Sequence, residues 1–377
     1  MPAQLAPNFT FAYNVDRGIL ADVYLPSTPH VLGVPVVVYW HGGGKSIDPR
    51  AFPYAKLRTA GCAFVTGDYR LLPPSTGHEI LQDVIDLVAW VASSDGLNAS
   101  LRQLDDKYII DPKRIVVSGT SAGGYLAYLA AIHARLEHPL CGLLSMYGMG
   151  GDFLTSHYLQ RKTEPFFRGR PLLDPAQFDA LLSIAHPPPV TNGSVLEYGR
   201  NGIPSSPRMF ITRVLLQEGT FLDYLTGEHG LSERLRVLDR PIINDVPQQH
   251  QGLFPEAGLN SSFPPTCLAH GTEDSAVLIG ESRAMRDRLH NLNVSCKLFE
   301  VKGAEHSFDY QDGHEELLEQ VFQVGGGFLK NRLRLSALVS IPAVSCTPPV
   351  KDRPAASNDA TSVPMTAQDA KPSGWNG

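Results

Sequence analysis

The sequence predicts an α/β chain built on a mainly parallel, eight-stranded sheet with helices on both faces and a long segment inserted late in the order. Three observations carry this. Short β-branched runs bounded by Gly, Pro and Asp alternate with longer helix-period segments. The runs "VPVVVYW" and "IVVSG" are apolar almost throughout, as strands covered on both faces must be. Between about Gly150 and Phe263 the alternation stops, although 377 residues with 43% hydrophobic content support a large core.

The strands expected in chain order are Phe9 to Val15, Ile19 to Leu25, Val34 to Trp40, Ala63 to Asp68, Ile115 to Gly119, Gly142 to Tyr147, Thr266 to His270 and Ser295 to Val301. Helices are expected near Tyr54 to Ala60, His78 to Ser94, Ser121 to Leu136, Glu281 to Leu292 and Glu315 to Lys330, where apolar residues recur at three and four spacing. The division that follows is core over 1–149, an inserted cap over 150–263 and core again over 264–335. The cap is rich in Pro, Gly and aromatic residues ("TEPFFRGRPLLD", "AHPPPVTNG"), and so long a structureless loop is rare in a compact domain. The stretch 345–377, poor in aliphatics and rich in Pro, Ser, Ala and Asp, is expected to be a disordered tail.

Charge narrows the function classes. The 32 basic and 38 acidic residues give a net charge of -6 with no long run of one sign. That balance excludes the positive footprint nucleic acid requires. No basic head precedes an apolar stretch at the start, and no run approaches about 18 apolar residues, so a cytoplasmic protein without stable membrane insertion is expected. Five scattered cysteines (Cys62, Cys141, Cys267, Cys296, Cys346) lack C-x-x-C spacing and read as core thiols; no metal and no cofactor is expected. The five Asn-x-Ser/Thr sequons, at Asn8, Asn98, Asn192, Asn260 and Asn293, read as chance tripeptides.

The chemistry concentrates in "IVVSGTSAGGYLAYLAA" (Ile115 to Ala131), where a serine stands between two glycines at a strand-to-helix junction. Such a turn strains the backbone and lifts the hydroxyl above the sheet. It needs small residues on both sides, here Gly119 and Gly123. A serine nucleophile also requires a base, an orienting acid and an oxyanion site. "WHGGGK" follows a strand and offers bare backbone, so Gly43 and Gly44, with the N–H of Ala122, are the expected oxyanion hole. "HGTEDSAV" places Asp274 after a strand, with Glu273 and Asp309 as neighbouring acids. "EVKGAEHSFDY" places His306 after the next strand, with His314 as the nearest rival base. The order Ser121, Asp274, His306 suits an α/β sheet whose active groups gather on loops at strand carboxyl ends.

Together "HGGG", "DYRL" (Asp68 to Leu71), "GTSAGG" and the Asp274/His306 pair resemble the α/β-hydrolase superfamily, and within it the hormone-sensitive-lipase-like carboxylesterases, over roughly Phe9 to Leu333. The resemblance implies that Gly43, Gly44 and Ala122 form the oxyanion hole and that the insertion caps the acyl pocket. The chain departs from that family at Thr120, where an acid is usual, and at Leu72-Pro73-Pro74 in place of Ala-Pro-Glu. "HGTEDSAV" looks more like the dienelactone-hydrolase and feruloyl-esterase-like branches. The expected activity is hydrolysis of small-molecule carboxylic esters. The alternatives are amide, formamide or thioester cleavage in a biosynthetic pathway, or a ligand-binding protein that has lost turnover. Of the cap aromatics Phe153, Tyr158, Phe166, Phe167, Phe210, Phe221 and Tyr224, most are expected to be cap core. Arg168 and Arg170, which flank a glycine, are expected to be a solvated surface pair, with contact to a substrate carboxylate as the alternative. The sequence leaves the other substrate contacts and the oligomeric state open.

Overall fold

The computed structural model describes residues 6–28, 33–43, 54–104, 107–183, 207–310 and 325–335. The chain divides into two units, Met1–Val339 and Ser340–Gly377, and every described residue belongs to the first. The expected tail and much of the helix expected over 315–330 therefore lie outside the described residues; residues 325–333 are helical.

Eight strands form one sheet: β1 Phe9–Asn14, β2 Ile19–Tyr24, β3 Val34–Trp40, β4 Ala63–Gly67, β5 Ile110–Thr120, β6 Gly142–Met146, β7 Thr266–Gly271 and β8 Cys296–Val301. Their order across the sheet is β1-β2-β4-β3-β5-β6-β7-β8. β2 pairs antiparallel with both β1 and β4, and every pair from β4 to β8 is parallel. β5 begins earlier than its apolar run predicts. The register shift between Val34 and Val36 lets polar Asp111 to Arg114 join the strand ahead of Ile115.

The all-apolar β3 shows why the two-face pattern is informative. Val34, Val36, Val38 and Trp40 enter one core, with residues of the helices Gly77–Ala92 and Ala122–His133. Val37 and Tyr39 enter the opposite one, with Leu57, Leu329 and Leu333. Alternate residues point to opposite faces, so a strand buried on both must be apolar at every position.

The helix Gly77–Ala92 starts at a capping box in which the Thr76 backbone N–H donates to the Glu79 carboxylate at 2.8 Å. Helix Ala122–His133 is buried along nine of its twelve residues, since it lies against β3, β5 and β6. A further helix, Leu97–Leu104, has no counterpart in the expectation; its Asn98 side chain both accepts from and donates to the Ile110 backbone, replacing part of a strand ladder.

Between β6 and β7 the described residues hold short helices and no strand of the sheet. Phe153, Tyr158 and Phe221 are buried there, and the Phe153 ring meets those of Tyr125, Tyr158, Phe221 and Phe254. These aromatics are packing residues. Cys62, Cys267 and Cys296 are buried free thiols and Cys141 is half-buried and free; Cys346 lies outside the described residues.

Candidate active site

The site forms at the carboxyl ends of β3, β5, β7 and β8, beside β3, where the strand order reverses and open α/β sheets bind their ligands. Ser121 follows β5 with φ 55° and ψ −121°, a conformation that L residues other than glycine seldom adopt. The turn holds because its neighbours leave room. A Cβ on Gly119 would lie 2.1 Å from the Gly123 carbonyl oxygen, and one on Gly123 would lie 1.9 Å from that of Trp40. The Ser121 backbone is pinned by its N–H to the Met146 carbonyl at 3.0 Å, while its carbonyl accepts from Gly124 and Met149. Its hydroxyl makes no capping bond to the helix it opens, so it is left for other partners.

That partner is His306. Its Nε2 lies 3.0 Å from Ser121 Oγ, and its Nδ1 lies 2.7 Å from Asp274 Oδ2. Residues separated by 185 and 32 positions are thus brought into one hydrogen-bonded line. Of the rival acids, Glu273 is exposed, and Asp309 accepts from the Tyr147 hydroxyl at 2.6 Å. The rival base His314 lies outside the described residues.

Asp274 is buried, and its Oδ1 accepts from the backbone N–H groups of Ala276 and Val277, both at 2.9 Å. Burial opposes its charge, yet His306 and the bonds from His270 and His306 outweigh it and hold the carboxyl far below the usual range. His270, fully buried at the end of β7, places Nε2 3.2 Å from Asp274 Oδ2 and 2.8 Å from the Val277 carbonyl oxygen. A carbonyl can only accept, so Nε2 carries the proton; Nδ1, at 2.7 Å, takes the Ser282 hydroxyl. Sequence reasoning passed over His270. Its signal was a histidine four positions before the acid, at the end of an expected strand.

The backbone beside Ser121 is arranged by the "DYRL" stretch. The Tyr69 hydroxyl donates to the His41 carbonyl at 2.9 Å and its ring stacks on His41. Arg70 is fixed by two bonds to Asp83 on helix Gly77–Ala92, at 2.9 and 2.8 Å. Of the two described glycines of this loop, Gly42, which sequence reasoning did not select, is the one that abuts Ser121: a Cβ there would stand 3.1 Å from the Ser121 Cβ. Gly43 is exposed beside it, Ala122 opens the helix after Ser121, and Gly44 lies outside the described residues.

Across the site, Phe167 and Arg168 both have positive φ, 54° and 65°. The Phe167 ring lies 6.5 Å from the His306 imidazole, Arg168 N–H donates to Ser275 Oγ at 2.7 Å, and the Arg168 guanidinium donates to the His306 carbonyl. Arg168 is exposed, as expected of a surface residue, and is also tied to the loop that carries the base. Among the described residues no group of three or more His, Cys, Asp or Glu is placed to hold a metal ion. No helix among them is long and apolar enough to cross a membrane.

Comparison with known proteins bears on the fold that carries this site. Residues 37–198 match a family model described as the alpha/beta hydrolase fold. A probable carboxylesterase of a Phoma species is 27% identical over 80% of this chain and 89% of its own length. A non-reducing polyketide synthase of Emericella nidulans is 26% identical over 84% of this chain, which spans only 13% of that much longer protein. Among solved structures, esterase 2 of Thermogutta terrifontis aligns with TM-score 0.53 at 18% identity, covering 89% of this chain and 99% of that one. An esterase of Pyrobaculum calidifontis aligns with TM-score 0.52 at 20% identity, covering 84% and 81%. The sheet order, the family-model match over residues 37–198 and these structural likenesses show that the chain has the α/β-hydrolase fold.

Proposed function

We propose that the chain is a serine hydrolase that cleaves carboxylic esters of small to medium apolar substrates through an acyl-enzyme. The observation that carries this reading is the line Ser121 Oγ, His306, Asp274, with gaps of 3.0 and 2.7 Å. His306 Nε2 takes the Ser121 proton as Oγ attacks the ester carbonyl carbon, and Asp274 holds the Nδ1 proton and stabilises the imidazolium that forms. The carbonyl oxygen becomes an anion facing the backbone N–H groups of Gly43, Gly44 and Ala122; losing one such donor typically costs about 10²–10³ in rate. Collapse breaks the ester C–O bond, and His306 returns its proton to the departing alcohol. Water, deprotonated by the same imidazole, then releases the carboxylic acid and restores Ser121.

The likeness to a probable carboxylesterase supports the ester reading. The likeness to a segment of several non-reducing polyketide synthases favours a second one, cleavage of a polyketide-type thioester or ester, which uses the same steps with a thiol or alcohol leaving. Parallel assays of ester, N-formyl and thioester substrates separate these. The test of the shared mechanism is Ser121→Ala with p-nitrophenyl butyrate. Activity is expected to fall by at least about 10⁴-fold, and a fluorophosphonate probe is expected to add its mass to the native chain at Ser121 and not to the variant. Wild-type turnover in Ser121→Ala refutes the mechanism. An unlabelled native chain instead supports a binding protein on this fold.

A further inference from the structure

We propose that the substrate of the Ser121 site carries a carboxylate, held by arginines of the segment between β6 and β7: Arg213 and Arg208, with Arg170 beside Arg213. The proposal rests on the hydrolase reading above and deepens it.

The first observation is charge without compensation. Arg213 is 5% exposed, and its Nε is buried with no hydrogen-bond partner. Its guanidinium donates to the Pro171 carbonyl, and its charged form is disfavoured by burial and then by the nearby cation Arg170. The half-buried Arg208 repeats the pattern: its Nε is buried and unpartnered, and its guanidinium reaches only the Pro73 carbonyl. Among the described residues no carboxylate forms an ion pair with Arg168, Arg170, Arg208 or Arg213. Buried charges are ordinarily paired, because a desolvated cation facing only neutral dipoles is costly. Several cations left so, in a chain whose net charge is -6, point to an anion that arrives with the ligand.

The second observation is place. Thr212, adjacent to Arg213 and one helical turn beyond Arg208, is exposed and sets its hydroxyl 4.0 Å from where a Cβ on Gly43 would stand. Gly43 follows Gly42, whose backbone abuts Ser121. Arg208 belongs to the 3-10 turn Pro207–Phe210, which leads directly into the helix Ile211–Glu218 that carries Thr212 and Arg213. Pro73, which Arg208 touches, lies four residues beyond Tyr69, the residue that holds the His41 carbonyl. On the other side, the segment that gives Arg213 its only carbonyl also carries Phe167 and Arg168 against His306. The unpaired cations thus connect to both the oxyanion loop and the base loop. A planar guanidinium pairs bidentately with a carboxylate, and a carboxylate is compatible with an otherwise apolar ester.

The test compares three chromogenic esters: p-nitrophenyl butyrate, which is neutral; mono-p-nitrophenyl glutarate, with the carboxylate on the acyl side; and 3-carboxy-4-nitrophenyl butyrate, with it on the alcohol side. One of the two carboxylated esters is expected to exceed the neutral one in kcat/KM by about tenfold or more, by an amount that shrinks as salt is raised. Arg208→Met and Arg213→Met are each expected to lower that ratio by about tenfold. In parallel, calorimetry on the Ser121→Ala variant is expected to detect binding of glutarate or 5-hydroxy-2-nitrobenzoate, and Arg208→Met added to that variant is expected to weaken it. A ratio near one for both carboxylated esters, a ratio that survives both substitutions, or no anion binding to Ser121→Ala overturns the proposal. Because Arg213→Met removes a buried side chain and can fail to fold, the half-buried Arg208 supplies the second variant. Failure of the native chain to cleave any ester refutes the hydrolase reading instead, while the binding measurement, which needs no turnover, still decides the anion site.

Discussion

Asp274 and Glu281 are buried carboxylates seven residues apart, and their surroundings send them to opposite protonation states. Asp274 faces two imidazoles, His306 and His270, and two backbone N–H groups, and its carboxyl is held far below the usual range. Glu281 accepts from the N–H groups of Gly150 and Gly151 at 2.6 and 3.2 Å and from the Tyr158 hydroxyl at 2.5 Å. Its partners carry no charge, and burial pushes it up to about 8 despite them. Burial alone therefore does not set the state of a carboxyl here. A partner able to carry or share positive charge does, and that is the property a triad acid needs.

The largest effect that would break this contrast is expected at the acid. Asp274→Asn keeps the size of the side chain but takes away the charge that stabilises the His306 imidazolium and fixes its tautomer. A fall of about 10⁴-fold in kcat on p-nitrophenyl butyrate is expected, with the circular dichroism spectrum unchanged. A fall of less than tenfold would show that Asp309 or another group serves as the acid.

A smaller effect is expected one layer behind. His270 reaches no substrate; it positions Asp274 by donating from Nε2. His270→Leu removes that donor and is expected to lower kcat about tenfold at nearly constant KM, the cost of a hydrogen bond to a charged group. His270→Gln, which can place an amide N–H in the same position, is expected to recover most of the loss. Equal loss in both variants would mean that His270 only fills space. The low-field proton resonance of the His306–Asp274 bond gives an independent reading, moved by Leu and retained by Gln.

What the sequence disclosed and what it withheld divides along the same line. All eight strands were legible within a residue or two at most ends, because a period of two and apolar continuity are local properties. Ser121, Asp274 and His306 were legible because the topology predicts chemistry at strand carboxyl ends, and each stands at one. The early start of β5 at Ile110 was not, since Ile110 joins through its pairing with Val34 at the start of β3, and Asp111 to Arg114 fall in the register shift before Ile115 pairs with Val36. Gly42 was not selected, because consecutive glycines look alike along the chain and only the fold brings its backbone against Ser121. His270, Glu281 and Arg213 were silent for a shared reason. Glu281 is held by partners 123 or more positions away, and His270 and Arg213 owe their setting to a burial that periodicity does not rank; polar residues buried by tertiary contact leave no pattern along the chain.

The smallest effect concerns Glu281 and should appear in stability rather than in rate. A folded-state value of about 8, against about 4.3 for an exposed glutamate, means that between those limits the folded chain binds a proton the unfolded chain has released. Stability contributed by this group therefore falls as pH rises through that window, by up to about 1.4 kcal/mol per pH unit at its steepest. Asp274 has the opposite sign: its contribution is present above about pH 4 and is lost only as pH falls toward its depressed folded value. Glu281→Gln keeps an oxygen for Gly150 and Gly151 and cannot ionise. Measured by urea denaturation, the variant is expected to gain on the native chain steadily from pH 6 to pH 8, with p-nitrophenyl butyrate turnover changed by less than about threefold, since Glu281 touches neither Ser121 nor His306. A constant stability difference across that range would show that Glu281 is ionised in the folded chain, and the two carboxylates would then differ in partners but not in state.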